Sequence, residues 1–283
     1  MSRQKVTVKD IQQAKTDSRK LVMMTAYDYP FGLMADEAGV DIVLVGDSLG
    51  MVVMGLDGTV AVTMANMIHH IQAVMRGCQY AHVVGDMPFM SYNTAIRDAI
   101  INAGRLMKEG GCDSVKMEGG TDFAPTVEAI VKAGIPVQGH IGLTPQTASA
   151  LGGFKMQGKD AEAAKKIIDD ARALEDAGVF SMIIEAVPAP LAQLVAEAVQ
   201  VPVIGIGAGA DVDGQVLVTH DMIGLFDKFI PKFVKQYTRI RPTIIGAIKE
   251  YKQEVLEKSF PGPEHSFSMP AEALEQLKKI ISD

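Results

Sequence analysis

Runs of apolar residues alternate with helical patterns along most of the chain. The runs "LVMMTAYD" (21–28), "DIVLVGDS" (41–48), "HVVGDMPF" (82–89), "SVKMEGG" (114–120), "PVQGHIGL" (136–143), "FSMIIEAV" (180–187), "PVIGIGAG" (202–209) and "QVLVTHDM" (215–222) are strand candidates. Several are apolar without clean alternation, which is the pattern of strands covered on both faces. Between them, residues 63–80 place Met64, Met67, Ile68, Ile71, Val74, Met75 and Cys78 at three- and four-residue spacing. Thr63 precedes that stripe as a capping residue. Residues 93–109, 122–133, 159–177 and 189–199 predict further helices, whereas 210–214 is too short for one.

A small repeat organises these elements. Ala38-Gly39, Gly110-Gly111, Ala133-Gly134 and Ala177-Gly178 each stand just before a strand candidate. Glycine there can take the left-handed conformation that closes a helix. Helix, glycine, strand is the rhythm of a parallel α/β barrel, and eight strands in roughly 200 residues suit a (β/α)8 TIM barrel. An open doubly wound sheet ranks lower, because eight similar units favour closure. No composition shift divides the chain, so a single domain over 1–283 is expected. From about 241, "IIGAIKEYKQEVLEK" and "PAEALEQLKKII" read as closing helices around the loop "FPGPEHS" (260–266).

Composition removes several classes of function. A formal net charge of -7, with no basic run, argues against nucleic acid or a membrane surface as partner. No stretch approaches the roughly 20 apolar residues of a membrane span. The N-terminal "MSRQKVTVKDIQQAK" lacks the apolar core of a signal peptide. The two cysteines, Cys78 and Cys112, form no disulfide framework, and a reducing cytoplasm is the expected home. Both fall in helix-like contexts and read as small core residues.

Candidate chemistry gathers where strands end. Two apolar runs finish on Gly-Asp, at Gly46-Asp47 and Gly85-Asp86. In a parallel barrel all strand C-termini open on one face, which carries the active site. Asp47, Ser48, Asp86, Lys116, Glu118, His140 and Glu185 all fall at or near such ends. Carboxylates gathered there are costly to hold unless a cation or substrate balances them. All-oxygen donors suit a hard cation, and Mg²⁺ commonly takes one or two protein carboxylates and keeps its other positions for water and substrate. The glycine before each aspartate is expected to let backbone or ligand approach closely. Taken singly, Asp47 and Asp86 read as turn residues; as a pair on neighbouring strands they read as functional. Lys116 and Glu118 share a strand face, and a plain salt bridge between them is the competing reading. His140 is equally a rim histidine or a substrate contact. His69 and His70 are adjacent on a helix, cannot both face one ion, and read as surface or packing residues. "GIGAG" (205–209) is not a dinucleotide fingerprint and reads as tight packing.

The stretches "YDYPFGLMADEAGVDIVLVGDSLGMVVMG" (27–55), "GDMPFMSY" (85–92), "SVKMEGG", "GIPVQGHIGLTPQ" (134–146), "LGGFKMQGK" (151–159), "IIEAVPA" (183–189), "IGIGAGADVDGQVLV" (204–218) and "PEHSF" (263–267) closely resemble the ketopantoate hydroxymethyltransferase family. The resemblance runs over nearly the whole chain in order. It implies a (β/α)8 barrel, a Mg²⁺ ion, and transfer of a one-carbon unit from 5,10-methylenetetrahydrofolate to 3-methyl-2-oxobutanoate, a step of pantothenate biosynthesis. It implies Asp47 and Asp86 as metal ligands, Glu118 joining the metal site through water, Ser48 and Lys116 on the substrate, and Glu185 as proton acceptor. It also implies assembly as rings, commonly decamers. Departures are Ala186 in place of a cysteine, Gln138 in place of an apolar residue, Thr219 in place of an aromatic one, and "MANM" (64–67) without an acidic pair. Gln138 and Thr219 are expected to alter packing near the rim.

The implied chemistry suits these residue types. A C3 proton beside a ketone needs Lewis-acid assistance before a carboxylate can remove it. Lys116 adds positive charge near the developing oxyanion. Ile183, Ile184 and Val187 are expected to desolvate Glu185 and bring it nearer neutrality. The segment "LGMVVMGLDGTVAV" (49–62) is a candidate lid. Another Mg²⁺-dependent 2-oxo acid lyase or mutase would use the same aspartates, often with a lid cysteine, which 49–62 lacks. A non-catalytic oxo-acid sensor on the same barrel is the remaining class.

Overall fold

The computed structural model describes residues 3–282. Eight parallel strands close into a barrel in sequence order. They are β1 Leu21–Thr25, β2 Ile42–Val45, β3 His82–Asp86, β4 Ser114–Glu118, β5 Val137–Gly142, β6 Ser181–Glu185, β7 Val203–Ile206 and β8 Gly214–Leu217. All eight candidates are strands, each shorter than its apolar run at the C-terminal end. The backbone leaves the sheet there to form the rim, so the run's last residues are site-bearing loop. β8 closes the ring by pairing Leu21 with Gly214 and Met23 with Val216.

The helices are α1 Val8–Thr16, α2 Tyr29–Glu37, α3 Leu49–Val52, α4 Met64–Gly77, α5 Ile96–Arg105, α6 Ala124–Lys132, α7 Ala161–Asp176, α8 Ala189–Ala198, α9 Thr219–Met222, α10 Ile240–Glu257 and α11 Ala271–Ile280. Thr63 caps α4 as expected, and Asn66 completes a capping box by accepting from the Thr63 backbone N–H. A π-helical turn, Leu106–Gly110, extends α5 toward the predicted end. The glycines of the repeat are left-handed: Gly39, Gly111, Gly134 and Gly178 have φ of 84°, 88°, 88° and 92°. Cys78 caps α4 and Cys112 sits in the short link to β4 rather than in a helix. Both are buried, and burial pushes their thiols up to about 12, as small core residues rather than nucleophiles.

Two apolar cores follow from strand alternation. Outward residues such as Val43, Val83, Val115, Met182 and Ile184 pack against the helices. Inward residues, including Leu21, Met23, Ile42, Leu44, Val84, Ile183, Ile204 and Val216, fill the barrel with Ile11 and Ala14 of α1. Gly85 belongs to the outer set. A Cβ there would lie 2.6 Å from Ile71 Cδ1 of α4. The glycine before Asp86 therefore serves helix–sheet packing, not ligand approach. Gln138 is not at the rim either: it is fully buried, and its Nε2 donates to Ser181 Oγ at 2.9 Å.

The expected closing helices do not close this barrel. α10 and α11 contain no buried residue. The outer surface of β1 and β8 stays open, with Val22 53% exposed.

Candidate active site

The strand ends bring the predicted ionisable residues into one cavity of about 900 Å³. Asp47, Ser48, Asp86, Lys116, Glu118, His140 and Glu185 all line it. They come from five neighbouring strands, β2 to β6. Their order around the rim is their order in sequence, because parallel strands with short links place successive ends side by side.

Lys116 is 3% exposed and its Nζ lies 2.9 Å from Asp86 Oδ1, against 3.8 Å from Glu118 Oε1. The anticipated Lys116–Glu118 bridge is thus the weaker contact. Burial disfavours the ammonium, but Asp86, Glu118 and Asp47 outweigh it and hold Lys116 above its ordinary value. Glu118 is fixed from three sides. Its Oε2 accepts from the backbone N–H of Gln146 at 3.0 Å, and its Oε1 lies 3.4 Å from His140 Nδ1. Burial opposes its charge, yet His140 and Lys116 hold it below the usual carboxylate range.

His140 stands between two carboxylates, with Nε2 3.1 Å from Glu185 Oε2. Burial and the Lys116 charge oppose its protonation, but Glu118 and Glu185 prevail and push it up to about 9. It is therefore part of the ionic ring rather than a bystander at the rim. Glu185 keeps 15% side-chain exposure to the cavity. Its apolar flank is thinner than expected, since Ile183 lines the cavity but Ile184 faces the outer core. Two backbone features fix its position. Ala186, the next residue, is left-handed with φ 48°. Gly142 has φ 86°, and a Cβ there would meet Glu185 O at 2.4 Å, so only glycine lets β5 approach β6 this closely.

Asp47 and Asp86 form a pair. The backbone N–H of Asp47 donates to Asp86 Oδ2 at 3.1 Å, and Asp47 Oδ2 accepts from Gln146 Nε2 at 2.8 Å. Burial pushes Asp47 well above the ordinary carboxylate range, and the Asp86 and Glu118 charges add to the push. Asp86 is raised mainly by burial, against the pull of Lys116. Across the ring, four carboxyl groups crowd around Lys116 and His140, whose Nζ and Nδ1 lie 3.2 Å apart, and a divalent cation beside Asp47 and Asp86 would offset that acidic excess. Asp86 Oδ1 has no directed hydrogen bond despite its ion pair, and so keeps donor capacity. Among the described residues no three His, Cys, Asp or Glu side chains converge as a complete metal cage. Two oxygen ligands with open positions are what Mg²⁺ accepts, so the donor set fits that ion.

Sequence reading missed Gln146, Tyr92 and Tyr27. Tyr92 donates to Gln146 Oε1 at 2.7 Å, which orients the side-chain amide so that its Nε2 donates to Asp47 Oδ2 and Met87 O, while the Gln146 backbone N–H holds Glu118. The Tyr27 hydroxyl hydrogen-bonds Ser48 Oγ at 2.8 Å. Tyr27 follows β1 by two residues, so the rule of strand ends already pointed to it; Gln146 and Tyr92 sit on loops with no such signal. The segment 49–62 is packed against the barrel through buried Leu49 and Val62, and its Met51, Val52 and Thr59 line the cavity. His69 is exposed, and His70 Nδ1 lies 2.6 Å from Tyr27 O; neither reaches the carboxylates. "GIGAG" is a packing segment: Phe233 and Ala189 occupy the space beside Gly207 and Gly209. Thr219 replaces an aromatic residue by turning inward, where its backbone N–H donates to Thr25 Oγ1 at 3.0 Å and its hydroxyl donates to Thr25 O.

Comparison with known proteins bears on the fold and on the family. Solved structures of similar fold include a phosphonopyruvate hydrolase complexed with oxalate and Mg²⁺ (TM-score 0.60, 11% identity, 97% of this chain and 96% of that one). A 2,3-dimethylmalate lyase of the PEP mutase/isocitrate lyase superfamily aligns similarly (TM-score 0.58, 14% identity, 97% of each chain). At such identities the likeness concerns the barrel alone. Sequence relatives are far nearer. The 3-methyl-2-oxobutanoate hydroxymethyltransferase of Moorella thermoacetica is 56% identical over 94% of this chain and 98% of its own length. Those of Heliobacterium modesticaldum (55%; 95% and 97%) and Carboxydothermus hydrogenoformans (54%; 96% and 99%) match as fully. A sequence model of one family, described as ketopantoate hydroxymethyltransferase, matches residues 5–263. Matched by that model over most of its length and more than half identical to these relatives, the chain belongs to the ketopantoate hydroxymethyltransferase family.

Proposed function

We propose that the protein transfers a hydroxymethyl group from 5,10-methylenetetrahydrofolate to 3-methyl-2-oxobutanoate, giving 2-dehydropantoate and tetrahydrofolate, in pantothenate biosynthesis. The observation that carries this reading is the convergence of Asp47, Asp86, Lys116, Glu118, His140 and Glu185 on one cavity in a chain of this family. Asp47 and Asp86 are the residues that would hold Mg²⁺, with Glu118 reaching it through water. Bound there, the ion supplies Lewis-acid polarisation of the 2-oxo acid.

The remaining steps belong to side chains. Ser48, oriented by Tyr27, donates to the substrate carboxylate. Lys116 offsets negative charge as it develops on the keto oxygen. Glu185 accepts the C3 proton, and His140 Nε2, 3.1 Å away without a directed hydrogen bond, lies close enough to offset its charge. Water opens the 5,10-methylene unit and releases it as formaldehyde with tetrahydrofolate as the leaving group. The carbanionic C3 then adds to the formaldehyde carbon, whose oxygen takes up a proton to become the new hydroxyl. We further propose a cytoplasmic homo-oligomer, with the ring of ten that the resemblance implies. Among the described residues no helix is long and apolar enough to cross a membrane.

Incubation with Mg²⁺, 3-methyl-2-oxobutanoate and 5,10-methylenetetrahydrofolate tests the reading. Dehydropantoate, detected by mass spectrometry, is expected only with all three. Cleavage of the oxo acid without folate would instead assign a lyase.

A further inference from the structure

The ionic ring occupies one side of the cavity, and a separate carboxylate occupies the other. Asp221, on α9 just after β8, lines the same cavity and is only 7% exposed. Its Oδ1 is buried with no hydrogen-bond partner, and no Lys, Arg or His forms an ion pair with it among the described residues. Burial alone pushes it up to about 6, so at neutral pH it is chiefly an unpartnered anion. Such a group is costly unless something occupies it in the working protein.

Its surroundings indicate what that is. Phe226, five residues on in the chain, lines the cavity together with Phe229 and Phe233, and so do the exposed Lys155 and Lys232. The small branched oxo acid fills only part of about 900 Å³. It is itself an anion, and a carboxylate without a cation would repel it. The occupant of this side must instead present N–H donors, a flat apolar ring and, farther out, negative charge. A pterin offers an amino group beside a ring N–H, the pair of donors that a carboxylate accepts together. Its ring suits an aromatic wall, and the glutamate tail of a folate suits the two lysines.

We propose that Asp221 is the specificity residue for the one-carbon donor, accepting the 2-amino group and adjacent ring N–H of the pterin, with the Phe226–Phe229–Phe233 wall beside the ring. This rests on the folate-dependent reading above and adds to it the half of the cavity that the ionic ring does not use.

The test compares wild type with Asp221→Asn in equilibrium dialysis against 5-formyltetrahydrofolate and against its analogue lacking the 2-amino group. Wild type is expected to prefer the amino compound by roughly 10- to 100-fold, the worth of hydrogen bonds to a charged acceptor. Asp221→Asn is expected to lose most of that preference. The preference is a ratio, so a partly unfolded sample does not distort it. Solvent deuterium exchange at C3 of 3-methyl-2-oxobutanoate, run without folate, is expected to stay near wild type in the variant. A variant that keeps the full preference overturns the proposal. So does one that loses C3 exchange together with folate binding, which would put Asp221 in the oxo-acid half. A wild type that binds no folate and makes no dehydropantoate would instead bring down the underlying reading, a result visible before any variant is made.

Discussion

At the residue scale, the site is organised by unbalanced charge. Asp47 and Asp86 are buried beside one another, and burial is the main reason both sit above the ordinary carboxylate range. A divalent cation bound there stabilises the folded chain by mass action. Millimolar Mg²⁺ is therefore expected to raise the melting temperature of wild type. Asp47→Asn combined with Asp86→Asn should melt at one temperature with or without the ion; an unchanged Mg²⁺ response would move the metal elsewhere. Glu185 gives a second prediction. Glu185→Gln keeps shape and hydrogen bonding but cannot take a proton. It should lose C3 deuterium exchange by the ~10²–10⁴-fold expected of a general base while still binding the oxo acid. Retained exchange would pass the role to another group. Asp221 gives a pH dependence. Its folded value of about 6 exceeds the ordinary 3.8, so the folded state binds the proton more tightly than the unfolded chain. Its contribution to stability is thus present at acid pH and lost as pH rises from about 4 through 6. Asp221→Asn, which cannot ionise, should gain melting temperature relative to wild type between pH 4 and pH 7; a constant difference across that range would contradict the assignment. The ring residues were legible in sequence because each ends an apolar run. Asp221 also falls at the end of a strand candidate, "QVLVTHDM", and was passed over because that run crosses from β8 into α9, where an aspartate reads equally as a helix-start residue.

At the element scale, the strand ends matter through backbone as much as through side chains. β5 and β6 approach so closely that Leu143 donates its N–H to Glu185 O at 2.9 Å, with Gly142 between them. Gly142→Ala would force a left-handed alanine and a Cβ onto that same oxygen. A cost of about 1–3 kcal/mol in stability is expected, with displacement of the Glu185 peptide. C3 exchange should then fall further than the unfolded fraction alone accounts for; a destabilised variant with full exchange per folded molecule would show that the close approach is only structural. The glycine repeat and the apolar runs were readable because helix closure and two-sided burial are local demands. The purpose of Gly85 was not: the sequence showed a glycine before an aspartate, but only the seating of Ile71 on the sheet shows which face it serves. Likewise α1, whose Thr7–Asp10 capping box and buried Ile11 are plain in the structure, is too short and polar to stand out by period.

At the scale of the whole molecule, one surface is unfinished. Along α10, Ile240, Ile244, Ile248, Tyr251 and Val255 recur at three- and four-residue spacing, yet they are 37%, 40%, 61%, 58% and 44% exposed. That is an amphipathic stripe left largely uncovered among the described residues, with Phe260 edge-on to Tyr251 at 5.7 Å. The outer face of β1 and β8 has the complementary defect. Val22 is 53% exposed beside a hollow of about 440 Å³ that also takes in Leu21, Gly214 and Phe233. Exposed apolar surfaces of this size mark interfaces, and the proposed homo-oligomer supplies an occupant without any other partner. Light scattering after size exclusion should therefore give a mass well above the 30.3 kDa of one chain. Ile248→Asp with Tyr251→Asp places two carboxylates in the stripe and should shift the protein toward smaller species. Helical content should hold, because neither residue is buried within its own chain. All the ionic-ring residues come from a single chain, so the dissociated variant should still exchange the C3 hydrogen. A wild type that runs as a monomer would leave the stripe without a role in assembly. A variant that dissociates and loses exchange together would mean that the partner's contact on α10 is needed to hold the cavity wall at Phe229 and Phe233, which leads directly into that helix.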